Sequence, residues 1–152
     1  LGTAPGGTRT RIVVLTNGDR LDDRDVVDAL NLLDETVVKV DAGTEKAFKK
    51  INRPISRSTL EKVLQGSRAL EHLSVQTIIT GGDVSLLQTT HLEEWMEVIA
   101  MLTPKRVYLQ LAESPCADPK LQLATEDDLH RISHWLERKL KIKALIEFGY
   151  VA

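Results

Sequence analysis

The sequence predicts an α/β protein built on a parallel sheet of about four strands flanked by helices. Four short apolar runs have the length of strands, and their continuous hydrophobicity is typical of strands buried on both faces. Segments with the apolar spacing of amphipathic helices separate these runs. Because strands alternate with helices along the chain, right-handed crossovers onto one parallel sheet are expected.

The first half of the chain supplies two strands and two helices. A strand at 11–16 stops at a polar turn, and a helix at 22–33 follows with acidic residues in its first turn. The second strand is expected at 36–41. A short helix at 44–51 ends before Pro54, because proline disfavours a helical conformation in the residue that precedes it.

The second half of the chain repeats this alternation. Strands are expected at 75–80 and 106–111, each a run of β-branched or apolar residues. Capping-box patterns at Ser58, Thr90 and Thr125 predict the starts of three helices. No composition break or low-complexity segment divides the chain.

These elements suggest one main unit with short flanking segments. We expect a loop or disordered N-terminus at 1–10, the α/β unit at 11–142 and a C-terminal tail at 143–152. The tail is compatible with a short strand or an ordered arm. The first residue is not methionine, so processing or a fragment of a longer chain is expected.

Composition excludes several classes of function. The chain has 152 residues, 42% of them hydrophobic and 28% charged, and a net charge of −2. This composition is that of an ordinary globular domain, without a basic field for nucleic acid. No apolar run approaches the roughly 20 residues that span a bilayer. The single cysteine, Cys116, allows neither an internal disulfide nor a cysteine metal cluster, and a reducing cytoplasm is the default location.

The second predicted strand carries the most informative pair of residues. Lys39 and Asp41 are two apart, so they project to one face of the strand, while Val38 and Val40 project to the other. A lysine and an aspartate at the end of an interior strand are costly unless they bind each other or a ligand. In parallel α/β folds ligands bind at this end of the strands.

The other predicted strands also end in polar or glycine-rich turns. Asn17 follows the first strand, Gly81 and Gly82 follow the third, and Gln110 lies near the end of the fourth. Each turn alone has an ordinary explanation, because strand-to-helix loops are polar and use glycine and aspartate. Their position along one edge of a parallel sheet nevertheless predicts a small-ligand site.

Several segments together resemble the radical S-adenosylmethionine (radical SAM) enzymes, in particular their Fe–S oxidoreductase branch. The shared pieces are LTNG at 15–18, VKVDAG at 38–43, FKKINRP at 48–54 and the VQT and GGD segments at 75–83. The resemblance covers most of the chain, from about residue 12 to 140. It implies a partial (β/α) barrel corresponding to the C-terminal two-thirds of the family's domain.

The resemblance also implies cofactors. Radical SAM enzymes cleave S-adenosylmethionine at a 4Fe–4S cluster that is held by a CxxxCxxC loop. Thiolate ligands are required for such a cluster, and this sequence has no such loop. The expectation is therefore that the chain alone is not competent, and that neither cofactor binds tightly to it without the missing N-terminal half-barrel.

Site residues follow from the matching positions, and they are cofactor-binding positions, with no catalytic residue assigned. Asn17 matches the amide at the end of the family's third strand, close to the bound cofactor. Lys39 and Asp41 match polar positions that face ribose and carboxylate groups. Gly81 and Gly82 match backbone that approaches adenine. On the last strand, Gln110 matches an inward position that meets substrate or cofactor.

Two alternatives to a radical SAM enzyme portion stay open. The chain can be a non-catalytic half-barrel that binds or oligomerises through an open sheet edge at 11–15. It can also be a small cluster-free α/β enzyme that uses the Lys39–Asp41 pair. A zinc site at His130 and His134, four residues apart, is less favoured because no third ligand is evident.

Overall fold

The computed structural model describes residues 9–54, 58–112 and 122–147, which form five strands and five helices. In chain order these are β1 Val13–Thr16, α1 Arg24–Leu30, β2 Glu35–Lys39, α2 Glu45–Asn52, α3 Leu60–Ser67, β3 Leu73–Ile79, α4 Thr89–Leu102, β4 Arg106–Leu111, α5 Glu126–Leu140 and β5 Lys143–Glu147.

The five strands form one parallel sheet in the order β1-β2-β3-β4-β5. This confirms the predicted parallel α/β fold. The sheet has one strand more than expected, because part of the tail forms β5 and pairs with β4, with Arg106 opposite Lys143. Parallel strands that lie in the sheet in their sequence order, with helices packed on one face, form a partial (β/α) barrel.

The two faces of the sheet differ in character. The face that packs on the helices, called the outer face, presents Val38, Val75 and Val107, none of them exposed by more than 1%. The opposite face, called the inner face, presents Lys39, Gln76 and Tyr108 in one register row. The apolar core therefore lies between the outer face and the helices. Its largest fully buried side chains from the helices are Trp95, Ile99, Leu129, Ile132 and Leu136.

Buried polar residues occupy the amino end of the inner face. The Glu35 carboxylate accepts hydrogen bonds from the Ser74 hydroxyl at 2.6 Å and the Tyr108 hydroxyl at 3.0 Å. Its other oxygen lies 2.8 Å from the Arg11 guanidinium and 3.7 Å from that of Arg106. Four side chains from three other segments thus share the Glu35 carboxylate, which ties β2, β3 and β4 together below the candidate ligand edge.

Two of the three predicted helix starts are wrong. Helix α3 is capped by Thr59 and not by Ser58, and α4 begins at Thr89 after Gln88, which makes no side-chain capping bond. The capping box at Thr125 is confirmed, since its hydroxyl and the Asp128 carboxylate bond each other's backbone amides. Tertiary contacts fix the other two starts.

Two glycines bring helices close to neighbouring backbone. A Cβ atom on Gly43 would lie 2.2 Å from the carbonyl carbon of Glu94 in α4. A Cβ atom on Gly66 in α3 would lie 2.3 Å from the Leu21 carbonyl oxygen. The glycine of the Asp-Ala-Gly segment therefore serves the contact between the β2–α2 loop and α4.

No helix within 9–54, 58–112 or 122–147 combines the length and apolar content needed to cross a bilayer.

Candidate functional site

Lys39 and Asp41 bind each other at the carboxyl end of β2. The Lys39 ammonium nitrogen lies 3.1 Å from Asp41 Oδ2. Val38 and Val40, on the other side of the chain, are 0% and 1% exposed. Alternation along the strand therefore places the charged pair and the apolar pair on opposite faces, as the sequence predicts. Of the two expected ways to balance the charges, binding each other or binding a ligand, the structure shows the first.

The Asp41 carboxylate has two further partners. Its Oδ2 accepts a hydrogen bond at 2.9 Å from the side-chain amide of Asn52, the last residue of α2. Its Oδ1 accepts one at 2.9 Å from the backbone N–H of Ile78 in β3. The Asp41 side chain is only 1% exposed, whereas that of Lys39 is 32% exposed. Of the two charged groups, the ammonium is the one open to a ligand.

Lys39 opens into a pocket of about 280 Å³ at the carboxyl ends of β1 and β2. We call it the strand-end pocket, and it is lined by Asn17, Asp19, Lys39, Phe48, Asn52, Arg53 and Pro54. Two larger grooves of about 490 and 500 Å³ lie between helices, α2 with α3 and α1 with α3. The strand-end pocket is the concavity that carries the predicted site residues.

The turn after β1 forms one wall of this pocket. The Asn17 side chain accepts a hydrogen bond from the backbone N–H of Asp19 and donates one to the Asp19 carboxylate, both at 3.1 Å. Gly18 has φ of +82°, a left-handed conformation that suits glycine. The Asn-Gly-Asp sequence is therefore a self-bonded turn that holds the Asn17 amide beside Lys39.

The end of α2 forms the opposite wall. Arg53 caps the helix in a left-handed conformation, with φ of 44°, and its N–H bonds the Lys49 carbonyl oxygen. Left-handed backbone in a non-glycine residue costs about 1–2 kcal/mol, and such strain tends to occur at functional sites. Asn52, immediately before it, is tied to Asp41. The INRP segment thus contributes pocket residues in addition to the helix stop that was predicted.

The other predicted site residues lie outside this pocket. The N–H of Gly81 donates to the Gln122 carbonyl oxygen at 2.7 Å, and a Cβ atom on Gly81 would lie 2.8 Å from Gln122 Cβ. Gly82 is left-handed, with φ of +101°, and has open space beside it. Gln110 accepts a hydrogen bond at 3.0 Å from the buried side-chain amide of Gln76. Asn17 and Lys39 line the strand-end pocket and Asp41 binds Lys39, whereas Gly81, Gly82 and Gln110 are not among the lining residues.

Sequence reasoning missed the residues that hold the end of β2. The Val40 carbonyl oxygen accepts two side-chain hydrogen bonds, from the Thr77 hydroxyl at 2.7 Å and the Trp95 indole N–H at 3.0 Å. No local pattern in the sequence indicates either of these two donors. Asn52 had one available signal, since it is the last residue of α2 and lies two residues before Pro54.

None of the four histidines lines the strand-end pocket. His91 bonds Glu94 at 3.0 Å, while His130 and His134 are exposed on α5. Among the described residues, no three histidine, cysteine, aspartate or glutamate side chains come together as metal ligands. Cys116 lies outside the described residues. A 4Fe–4S cluster needs several thiolates, and this chain has one cysteine, so its own residues do not fit the cluster.

Sequence comparison finds relatives among uncharacterised proteins. No protein-family model matches the chain. It is 32% identical over 108 residues to UPF0026 protein slr1464 of Synechocystis sp., covering 68% of this chain and 39% of that protein. It is 28% identical over 151 residues to UPF0026 protein MJ1312 of Methanocaldococcus jannaschii, covering 90% and 44%. The chain spans about two fifths of the length of these relatives.

Structural comparison finds radical SAM enzymes. A radical SAM methyltransferase from Sphaerobacter thermophilus aligns with a TM-score of 0.68 and 15% identity, covering 91% of this chain and 40% of that one. A domain of a pyruvate-formate lyase-activating enzyme from Bacteroides vulgatus aligns with a TM-score of 0.70 and 13% identity, covering 90% and 81%. At these identities the likeness shows a shared fold.

Proposed function

We propose that this chain forms the C-terminal portion of a radical SAM domain, with the strand-end pocket as one wall of its S-adenosylmethionine site. One observation carries the proposal. Asn17 and Lys39, both predicted from the sequence as cofactor-binding residues, open into a single pocket at the carboxyl edge of the sheet. The partial-barrel fold, which resembles that of two radical SAM enzymes, supports the same conclusion.

The exposed groups of the pocket suit a ligand rich in polar atoms. The Lys39 ammonium has three donors, and one points to Asp41, so the others are available to a carboxylate or hydroxyl oxygen. Asn17 and Asp19 add an amide and a carboxylate to the other wall. The cluster that supplies radical chemistry in these enzymes would be held by cysteines outside this chain, because Cys116 alone is insufficient.

The missing part of the barrel would pair with β1. Among the described residues β1 is an edge strand of the sheet, and its inner-face residues Val13 and Leu15 are 49% and 46% exposed. An open parallel edge with apolar side chains invites another strand. We propose that the partner is the N-terminal half-barrel of a longer protein. Self-association through this edge, in a non-catalytic module, is the second candidate, and its signature is a dimer of this chain in size-exclusion chromatography.

The test is binding of S-adenosylmethionine by the natural polypeptide that carries this chain, measured by anaerobic equilibrium dialysis after cluster reconstitution. Lys39→Met should weaken binding about tenfold, which is the loss of one hydrogen bond to a charged group. Lys46→Met, at an exposed position of α2, is the matched control and should bind like the unaltered protein. No binding by the unaltered protein, or equal binding by Lys39→Met, would contradict the proposal.

A further inference from the structure

Asp41 occupies the centre of the site without access to a ligand. Its side chain is 1% exposed, and both carboxylate oxygens already have hydrogen-bond partners. A ligand in the strand-end pocket can touch Lys39 or Asn17 but not this carboxylate. The carboxylate nevertheless contacts two of the residues that line the pocket.

The two oxygens of Asp41 have different partners. Oδ1 accepts from the backbone N–H of Ile78 and so joins the carboxylate to the neighbouring strand β3. Oδ2 contacts two residues that line the pocket: the Lys39 ammonium at 3.1 Å and the Asn52 side-chain amide at 2.9 Å. One oxygen therefore anchors the group to the sheet, while the other directs side chains from β2 and α2.

We propose that Asp41 is a positioning residue, which orients the Lys39 ammonium toward the ligand and so affects binding through Lys39 without touching the ligand. The inference rests on the proposed function above. The sequence predicted that Asp41 contacts the cofactor directly. The proposed role is instead indirect.

The physical reason lies in the lysine side chain. Its four-carbon stem is flexible, and immobilising such a side chain on binding costs conformational entropy. Asp41 accepts one of the three ammonium hydrogens before the ligand arrives, so part of this ordering is completed in the unliganded protein. Asp41 also offsets the charge of a lysine whose side chain is two-thirds buried.

A thermodynamic cycle separates this role from a purely structural one. Affinity for S-adenosylmethionine is measured for Asp41→Asn, for Lys39→Met and for the double variant. Asp41→Asn keeps an oxygen for the Ile78 N–H but turns a neutral amide toward Lys39. Alone it should weaken binding about tenfold, whereas in the Lys39→Met background it should change affinity by less than about twofold.

A second cycle provides the matched control. Asn17 lines the same pocket, and its side chain is hydrogen-bonded to Asp19. The losses from Asp41→Asn and Asn17→Ala should therefore multiply in the double variant. If Asp41→Asn weakens binding by the same factor in the Lys39→Met background as in the unaltered protein, the positioning role is overturned. Unchanged affinity in Asp41→Asn alone would overturn it too. Either result leaves the proposed function standing. Failure of the unaltered protein to bind would overturn both.

Nuclear magnetic resonance keeps the inference testable if Asp41→Asn does not fold. S-adenosylmethionine should shift the Lys39 ¹⁵Nζ resonance and the Asp41 carboxyl ¹³C resonance together, and leave Lys46 ¹⁵Nζ in place. In Lys39→Met the Asp41 carboxyl carbon should no longer respond to the ligand. A carboxyl resonance that responds without Lys39 would overturn the inference.

Discussion

The Glu35 carboxylate accepts a hydrogen bond from the Ser74 hydroxyl at 2.6 Å, at the amino end of the inner face. Burial by itself raises the pKa of Glu35. The hydrogen bonds from Ser74 and Tyr108 and the guanidinium groups of Arg106 and Arg11 outweigh burial, so the pKa lies below its ordinary value of 4.5. The charged form is therefore the one that the fold stabilises.

The free energy of unfolding should depend on pH through Glu35. Because its pKa is lower in the folded state, its contribution is complete above about pH 4.5 and is lost as the pH falls through the folded value. Glu35→Gln should lower the free energy of unfolding by about 2 kcal/mol at pH 7. The difference from the unaltered protein should shrink below pH 4.5.

Urea denaturation between pH 3 and pH 7 measures this difference. The control is Glu97→Gln, at an exposed position of α4, which should leave the unfolding profile unchanged. A Glu35→Gln deficit that stays constant down to the lowest pH would contradict the assignment of a charged, bonded Glu35.

Gly43→Ala should destabilise the fold strongly. The added methyl group would lie 2.2–2.5 Å from backbone atoms of Glu94 and Trp95, so α4 must move away from the β2–α2 loop. Overpacking of this kind costs about 2–3 kcal/mol. Gly82→Ala is the matched control, because its methyl group meets nothing within 4 Å and only the left-handed φ of +101° opposes it.

Gly82→Ala should therefore cost less, about 1 kcal/mol. Denaturant unfolding of both variants measures the comparison. If both variants lose the same free energy of unfolding, α4 can move away from the methyl group at position 43 without an energetic cost.

The exposed edge of the sheet gives a third prediction. Leu15 on β1 is 46% exposed, and Leu32, in the loop that follows α1 and outside the strands, is 77% exposed. If another strand covers β1, Leu15→Asp should abolish that pairing, because a charge would be buried in the joint sheet. Leu32→Asp should not.

Melting temperature of the natural polypeptide and size-exclusion chromatography of this chain together measure the effect. Leu15→Asp should lower the melting temperature of the longer protein, or dissolve a dimer if the chain self-associates. Equal behaviour of the two variants would indicate that the β1 edge stays uncovered.

Local rules were enough to predict the Lys39–Asp41 pair. Alternation along a strand fixes which side chains share a face, and two unlike charges on one face of a buried strand must find partners. The strand at 106–111 and the Thr125 capping box are also local patterns, and both are confirmed. Features set within a few residues were therefore accessible from the sequence.

Contacts between distant segments were not accessible. The partners of Glu35 lie 24, 39 and 73 residues away in the chain, so no local pattern indicates them. The start of α3 was misplaced because Glu45, on α2, accepts the Leu60 N–H at 2.7 Å and helps to fix the first turn. The start of α4 follows a turn in which Ser85 accepts the Leu87 and Gln88 amides.

Two side-chain hydrogen bonds to the Val40 carbonyl oxygen fix the position of the end of β2. Both lone pairs of this oxygen are filled, one from β3 by Thr77 and one from α4 by Trp95. Inserting a residue between Lys39 and Val40 would either break both bonds or turn the ammonium to the outer face. Length changes in the loop between α1 and β2 would disturb neither bond. Evolution can therefore alter the length of this unit at its amino end while the spacing at the ligand edge stays constant.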